Sequence, residues 1–407
     1  MIWKNENYHQ LWVSTLILGF AGQISGLALS LLAANKLQAT PTQIGILGAM
    51  GTIPFALFLL PAGVWLDRTQ KLPAYVYSEL LMIAILACIP VAWFYDRLTI
   101  EMLFAVSFVS ASVSVVSGTA GQVVVSRIVR LEQLVEAHGK IRVAGSFSEI
   151  LGPGLAGVMI KFIGAPLVLV ANCFLMLMGV LTLRKLQLIE PVSNHHEKAF
   201  WPQLKEGIDF VIKDRLLLSM GLTVGSWQIL QTCVMTTQVL FATRELGLNE
   251  FEYGLCLGGA GVGTVLAGMF GHWLADRFGH GPTIIVGIAL SGIGWAQLAW
   301  APSGSTGIAS YIVMLVCFSS SVVLIFSNML ALRQAVTPHS MLARMTSTMR
   351  WLTLFPAIPG ALLGGVLAEH FGLRFPLIVG GLAAIAQAAW LWKFSMLHSI
   401  KELERQT

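Results

Sequence analysis

The sequence predicts an all-α membrane protein of twelve transmembrane helices, arranged as two six-helix bundles related by a parallel repeat. Three observations carry this: a composition that water cannot solvate, a succession of helix-length apolar runs, and a motif set that recurs once along the chain. Of 407 residues, 56% are hydrophobic and only 11% charged, and the mean hydropathy is +0.76. A soluble domain carries roughly 25% charged residues. Lipid is therefore the solvent for most of the surface, and lipid demands that backbone hydrogen bonds close within each segment.

A lipid span takes about 20 apolar residues. Such runs fall at 9–34, 43–65, 73–94, 98–122, 143–163, 166–187, 216–242, 252–275, 282–301, 307–332, 346–368 and 375–397. The first of them, from Leu11 to Ala34, is too long for a cleaved signal and lacks a small-residue cleavage site, so it reads as the first helix. With both termini in the cytoplasm, twenty Lys and Arg residues collect on the cytoplasmic side and five on the other: Lys36, Arg97, Lys161, Arg244 and Arg374. The positive-inside rule selects that orientation, in a bacterial inner (plasma) membrane.

The same charges exclude other readings. The net charge of +5 comes from residues lying between apolar runs, with no basic stripe and interleaved surface aromatics, so nucleic acid is not a partner. All five cysteines sit inside apolar runs without CxxC or His spacing, which points to packing rather than disulfides or metal. His195 and His196 diverge on any regular element and lack a third ligand nearby. No metal and no cofactor are expected, and no Walker A sequence, Ser/His/Asp set or other catalytic constellation suggests an enzyme.

The repeat fixes the domain organisation. Asp67-Arg68 recurs as Asp276-Arg277 at an offset of 209, and Arg142, Gly152, Leu155, Gly157 and Gly164 recur as Arg350, Gly360, Leu363, Gly365 and Gly372 at 208. Helix 2 thus corresponds to helix 8, and helix 5 to helix 11. Six helices is an even number, so both halves enter from the same side, and such repeats place a substrate site between the halves near the midplane. The expected division is 1–190, a cytoplasmic linker 191–215, and 216–407. The linker stretch FWPQLKEGIDFVIKDR is amphipathic, with Phe200, Trp201, Leu204, Ile208, Phe210 and Val211 on its apolar side.

GVWLDRTQK resembles the loop signature of the major facilitator superfamily, matching at Gly63, Asp67, Arg68 and Lys71, with Gln70 where glycine is usual. GHWLADRFGHG matches at Asp276, Arg277 and Gly279. GPGLAG, with Gly152, Pro153 and Gly157, resembles the helix 5 motif of efflux members. NYHQLW, LEQLVEAHGK and TPHSMLARMTSTMR are similar to the branch holding macrolide-efflux-type pumps and the bacterial enterobactin exporter. The resemblance implies a monomeric secondary transporter, a proton-coupled antiporter for efflux of amphiphilic small molecules such as multidrug-resistance substrates or a siderophore-like metabolite. A lysophospholipid or metabolite carrier working as an importer, and a transport-like receptor, are the alternatives. The sequence departs from related ones at Asn172, where aspartate is frequent, and in helix 4, which lacks an arginine.

Physical chemistry nominates the working residues. Asp67 beside Arg68 and Lys71 on a short turn is suited to a gate that bonds helix ends in one conformation and releases them in another. Gly152, Gly154 and Gly157 clear side chains where helices approach, and Pro153 permits a bend. Ionisable groups inside spans are costly and so point to function. Glu149, three residues before Gly152, is a coupling or substrate-cation site, or else a buried partner of Arg142 or Arg350. Glu79 is a second coupling candidate, placed to pair with the gate loop. Gln228, Gln231 and Gln238 share one side of helix 7, and with Gln23 and Asn328 they need partners away from lipid. Trp227, Trp295 and Trp351 are candidates for stacking on a solute, with interhelical packing as the alternative.

Overall fold

The computed structural model describes residues 5–67, 69–188, 200–338, 341–395 and 397, and all regular structure among them is helical. The first half comprises helix 1 (Glu6–Leu31), helix 2 (Pro41–Asp67), helix 3 (Lys71–Phe94), helix 4 (Ile100–Ile128), helix 5 (Leu134–Ile163) and helix 6 (Ala165–Leu183). A linker helix (Phe200–Lys213) leads to helix 7 (Arg215–Thr236). Helix 8 follows in two segments (Glu250–Leu257 and Gly259–Phe278), then helix 9 (His280–Ala299) and helix 10 (Ser305–Val336). Helix 11 is also in two segments (Leu342–Leu354 and Ala357–Phe371), and helix 12 is Phe375–Phe394. Among the described residues, eleven stretches are long and apolar enough to cross a membrane. Helix 7 is not among them despite its 22 residues, because Thr223, Ser226, Gln228, Gln231 and Thr232 dilute its hydropathy. Counting it gives the twelve expected.

Local chemistry explains where helices start. Asn5, Thr99 and Asp214 accept backbone N–H bonds at the starts of helices 1, 4 and 7, and Asn249 with Glu252 forms a capping box on helix 8. The bulk of Phe94, Phe162, Phe174 and Met269 lies exposed, as lipid-facing surface requires.

The repeat is visible in the backbone as well as in the sequence. Helices 1 and 7 both unwind through a single π-turn, Leu32–Lys36 and Phe241–Glu245. Each turn is closed by matching bonds, Ala39 N to Ala33 O at 2.9 Å and Leu248 N to Ala242 O at 3.0 Å. Left-handed residues recur too: Gln38 (φ 51°) with Gly247 (71°), Asp96 (53°) with Gly304 (96°), and Gly164 (80°) with Gly372 (88°). Two of these six positions hold non-glycine residues, which tolerate the left-handed region at a cost of roughly 1–2 kcal/mol.

The contacts resolve two compact units. Unit 1 comprises Met1–Ala39, Met50–His196 and Asn249–Gly258; unit 2 comprises Thr40–Ala49, Glu197–Leu248 and Gly259–Thr407. Each unit therefore takes in the start of one helix from the other half of the sequence. In unit 1, Tyr8, Leu66, Tyr75, Val124 and Leu183 form a buried cluster, and the Tyr8 hydroxyl donates to Ala137 O at 2.9 Å. In unit 2 the largest buried side chains are Trp227, Trp295, Tyr311 and Phe241. The linker helix packs in unit 2 against helix 7 and the first segment of helix 11, with Val211 buried and Ile212 exposed. The His195-His196 pair lies outside the described residues, as do the side chains of Phe200, Trp201 and Leu204.

Candidate functional site

Two glycine-on-glycine helix crossings stand at repeat-equivalent positions. In unit 1, a Cβ added to Gly157 would stand 2.7 Å from Glu250 O and 3.0 Å from Gly254 Cα. In unit 2, a Cβ on Gly365 would stand 2.6 Å from Pro41 O and 3.0 Å from Gly45 Cα. Helix 5 thus meets the first segment of helix 8, and helix 11 meets the start of helix 2, backbone against backbone. Gly45 and Gly254 were not singled out from sequence, although the 209-residue offset that relates Asp67 to Asp276 relates them as well. Small residues at such contacts let helices pack without side chains between them.

Polar bonds flank both crossings. Asn35 Nδ2 donates to Glu250 Oε1 at 3.0 Å, and Lys161 lies 5.0 Å from the Phe251 ring centroid. In unit 2, Thr42 N donates to Glu369 Oε2 at 2.9 Å. Each of these ties a segment of one sequence half to a segment of the other, and none was anticipated from sequence. Nearby in unit 2, Arg374 Nε pairs with Glu245 Oε2 at 3.2 Å and its Nη1 donates to Ala299 O.

The helix 5 motif divides its glycines between two neighbours. Gly152 faces helix 1, where an added Cβ would stand 2.6 Å from Gln23 Cβ, so Gln23 lies along the motif. Gly157 faces helix 8, and Pro153 O lies 2.6 Å from a Cβ built on Gly254. Gly154 has nothing within 4 Å, which corrects the expectation that all three glycines serve close packing; it sits on the open side of the helix.

Glu149 occupies the same stretch. Its side chain is exposed and forms no ion pair among the described residues, so the pairing with Arg142 left open above is not formed. Phe147 and Leu151, 56% and 53% exposed, are each two residues away and hence about 200° around the helix from it. Ser148, which donates to Leu16 O and Ala144 O, marks the side facing helix 1. The carboxylate therefore points away from the apolar, lipid-facing stripe of helix 5. Burial was the expectation from its place inside a span; the difference arises because that face of the helix is not covered within unit 1.

Glu79 is a buried carboxyl of unit 1, 8% exposed, beside Ser117 of helix 4. It stands eight residues beyond Lys71, about 12 Å along the helix, and forms no ion pair among the described residues; Arg68 of the gate loop lies outside them. Asn172, the uncharged position of helix 6, donates to Ser25 Oγ on helix 1 at 2.7 Å and is buried.

The two loop motifs differ. In the first, Gly63 has open space around it, Lys71 is buried at 7% exposure, and Asp67 ends helix 2; the Asp67 side chain and Arg68 lie outside the described residues. In the second, Asp276 is exposed and approaches His272 Nδ1 at 3.4 Å, while the Arg277 guanidinium sits 5.7 Å from the Trp273 ring and 5.8 Å from Phe278. Gly279 turns at φ 94°, whereas its counterpart Gln70 holds φ −71°. The replacement of glycine by glutamine thus goes with a different turn.

The remaining candidates scatter. Gln228 and Gln231 are half-buried on helix 7. Gln238 is buried, its Nε2 donating to Val234 O at 3.2 Å. Asn328 is buried, its Oδ1 2.7 Å from His280 Nδ1. Trp227 and Trp295 have no exposed surface, and Trp227 Nε1 donates to Ser291 Oγ at 3.0 Å; both are packed between helices and present no face to a solute. Trp351 is 40% exposed and stacks on Phe355 at 5.0 Å between centroids.

Twelve membrane-length helices with a twofold internal repeat and paired helix crossings define a two-bundle membrane carrier. The chain belongs to the Major Facilitator Superfamily, a family of transporters, whose profile matches residues 11–350 and 228–405. It is similar to the uncharacterized MFS-type transporter YkuC of Bacillus subtilis (strain 168), 20% identical over 321 residues, or 74% of this chain and 73% of that one. It is also similar to a multi-drug resistance efflux pump PmrA homolog of Lactococcus lactis subsp. lactis (strain IL1403), 23% identical over 261 residues, 62% of each chain. Among solved structures it superposes on a bacterial homologue of the iron transporter ferroportin in an inward-facing state. The TM-score there is 0.76 at 15% identity, over 96% of this chain and 98% of that one. The nucleoside transporter NupG gives 0.76 at 13% identity over 95% and 98%. At these identities the solved structures establish the fold alone.

Proposed function

We propose that the protein is a proton-driven exporter of amphiphilic small molecules, drugs or siderophore-like metabolites, working by alternating access in a bacterial inner membrane with both termini cytoplasmic. The observation that carries this reading is Glu149: an exposed carboxylate inside a membrane helix, turned from the lipid-facing stripe and two turns from the Gly157·Gly254 crossing. A charged carboxylate shut into apolar surroundings costs several kcal/mol, a protonated one far less. Proton occupancy of Glu149 therefore biases which closure the helices adopt. A proton taken from the outer side and released to the cytoplasm then drives one solute outward. The two crossings part and close in turn, because each joins helices from different sequence halves through close backbone contact flanked by few polar bonds.

Export is supported by the phrases NYHQLW and LEQLVEAHGK and by the efflux pump named among the relatives. The test is the purified protein in liposomes with an imposed pH gradient, offered a panel of cationic, zwitterionic and anionic amphiphiles. Gradient-dependent accumulation of at least one class is expected; accumulation of none under either gradient direction contradicts the reading. Orientation is checked by single cysteines at His196 and Asn249, which should label from opposite membrane faces.

A further inference from the structure

We infer that unit 1 carries a binding site for a zwitterionic phospholipid with a primary amine, phosphatidylethanolamine, at the ends of helices 1, 3 and 5 remote from the N terminus. Two adjoining cavities form it. The first, of about 310 Å³, is lined by Asn35, Lys36 and Glu250 together with the helix 5 to helix 6 turn. The second, of about 580 Å³, opens sideways between helices 3 and 6 and is lined by apolar groups including Ala87, Val91, Phe94 and Phe174. Trp93 and Leu167 line both, so the polar and apolar compartments adjoin. A polar head beside an apolar trough is the shape of an amphiphile, and both volumes suit ligand cavities, which run from about 300 to 1,000 Å³.

Charge selects the headgroup. Lys36 is exposed and has no ion-pair partner among the described residues. Glu250 accepts from Asn35 through Oε1, which leaves Oε2 without a bond among the described residues. Helices 1 and 5 both end at this cavity, and helix C-termini favour a cation. A lone cation would meet Lys36 and a lone anion would meet Glu250, whereas a zwitterion answers both: its phosphate goes to Lys36 and its ammonium to Glu250. The free carboxylate oxygen calls for N–H donors, which a primary ammonium has and a trimethylammonium lacks. The acyl chain then covers Phe94, Phe174 and Val91, otherwise 76%, 66% and 55% exposed. An ammonium at Glu250 competes with Asn35, so lipid occupancy acts on the bond flanking the Gly157·Gly254 crossing. The site stands apart from the transport reading, and its failure would leave that reading intact.

Native mass spectrometry of the full-length protein, equilibrated with phosphatidylethanolamine, phosphatidylcholine and phosphatidylglycerol of identical acyl chains, tests it. Phosphatidylethanolamine should be retained over the other two. Glu250→Gln should weaken that retention about tenfold, the loss of one charge-assisted hydrogen bond, and remove the preference over phosphatidylcholine. Lys36→Gln, at an exposed position, should weaken retention of all three while leaving the melting temperature unchanged. Ala87→Trp, which fills the apolar trough, should do the same to all three. Equal retention of the three lipids by the unaltered protein overturns the proposal, as does phosphatidylethanolamine retention that Lys36→Gln leaves unchanged. Because Lys36→Gln decides alone, a Glu250→Gln protein that fails to fold does not shelter the proposal.

Discussion

Adding one methyl group at Gly157 should open the crossing between helix 5 and helix 8. A Cβ there would stand 2.7 Å from Glu250 O and 3.0 Å from Gly254 Cα, where ordinary contact begins at 3.4 Å, so the two backbones must part by about 0.7 Å. Both obstacles are backbone atoms, and no rotamer change can relieve them. Overpacking of this kind costs ~1–3 kcal/mol, which shifts a two-state population about 5- to 150-fold. The cost falls only on the conformation in which the crossing is closed. A reporter cysteine at Ile160, 5% exposed beside the crossing, in a cysteine-free background, reads the shift through its rate of labelling by a membrane-impermeant maleimide. Gly157→Ala should raise that rate at least about fivefold. Gly154→Ala, where a Cβ meets nothing within 4 Å, should leave it unchanged. Identical labelling in both variants would refute the argument that backbone contact holds this closure.

Two further outcomes follow from single residues. Gly279→Gln forces a side chain into the left-handed region at φ 94° and should lower stability by roughly 1–3 kcal/mol in thermal unfolding; the reverse exchange, Gln70→Gly at φ −71°, should cost under about 1 kcal/mol. Glu79→Ala removes a buried side chain from helix 3 and should cost about 0.5–3 kcal/mol, while Glu79→Gln should keep both the melting temperature and gradient-driven transport; loss of transport in Glu79→Gln would move the coupling site to helix 3.

The architecture was legible because lipid imposes strong rules. Apolar runs of fixed length gave the helices, and repeated Asp-Arg and glycine positions gave the pairing of helix 2 with helix 8 and helix 5 with helix 11. The helix 5 motif was legible in type but not in partner: nothing in GPGLAG says that Gly152 meets Gln23 while Gly157 meets Gly254. That partner glycine carried a usable signal, the same offset that links the loop motifs. Side-chain direction was the weakest inference. In helices apolar on every side no polar stripe reports the inward face, so Trp227 and Trp295, suited by type to a solute, turn out to be interior packing, and Glu149, expected buried, is exposed. The polar bonds of Glu250 and Glu369 lie at helix ends, where charged residues are ordinary and their partners distant in sequence.

The central claim is that proton occupancy of Glu149 drives transport, and Glu149→Gln in proteoliposomes tests it most directly. Glutamine keeps the size and hydrogen bonding of the protonated acid and removes its titration. Substrate accumulation under an imposed pH gradient and gradient-independent exchange of labelled substrate are measured on the same preparation, beside substrate affinity. The account predicts that Glu149→Gln retains affinity and exchange but loses gradient-driven accumulation. Full gradient-driven accumulation by Glu149→Gln would contradict it.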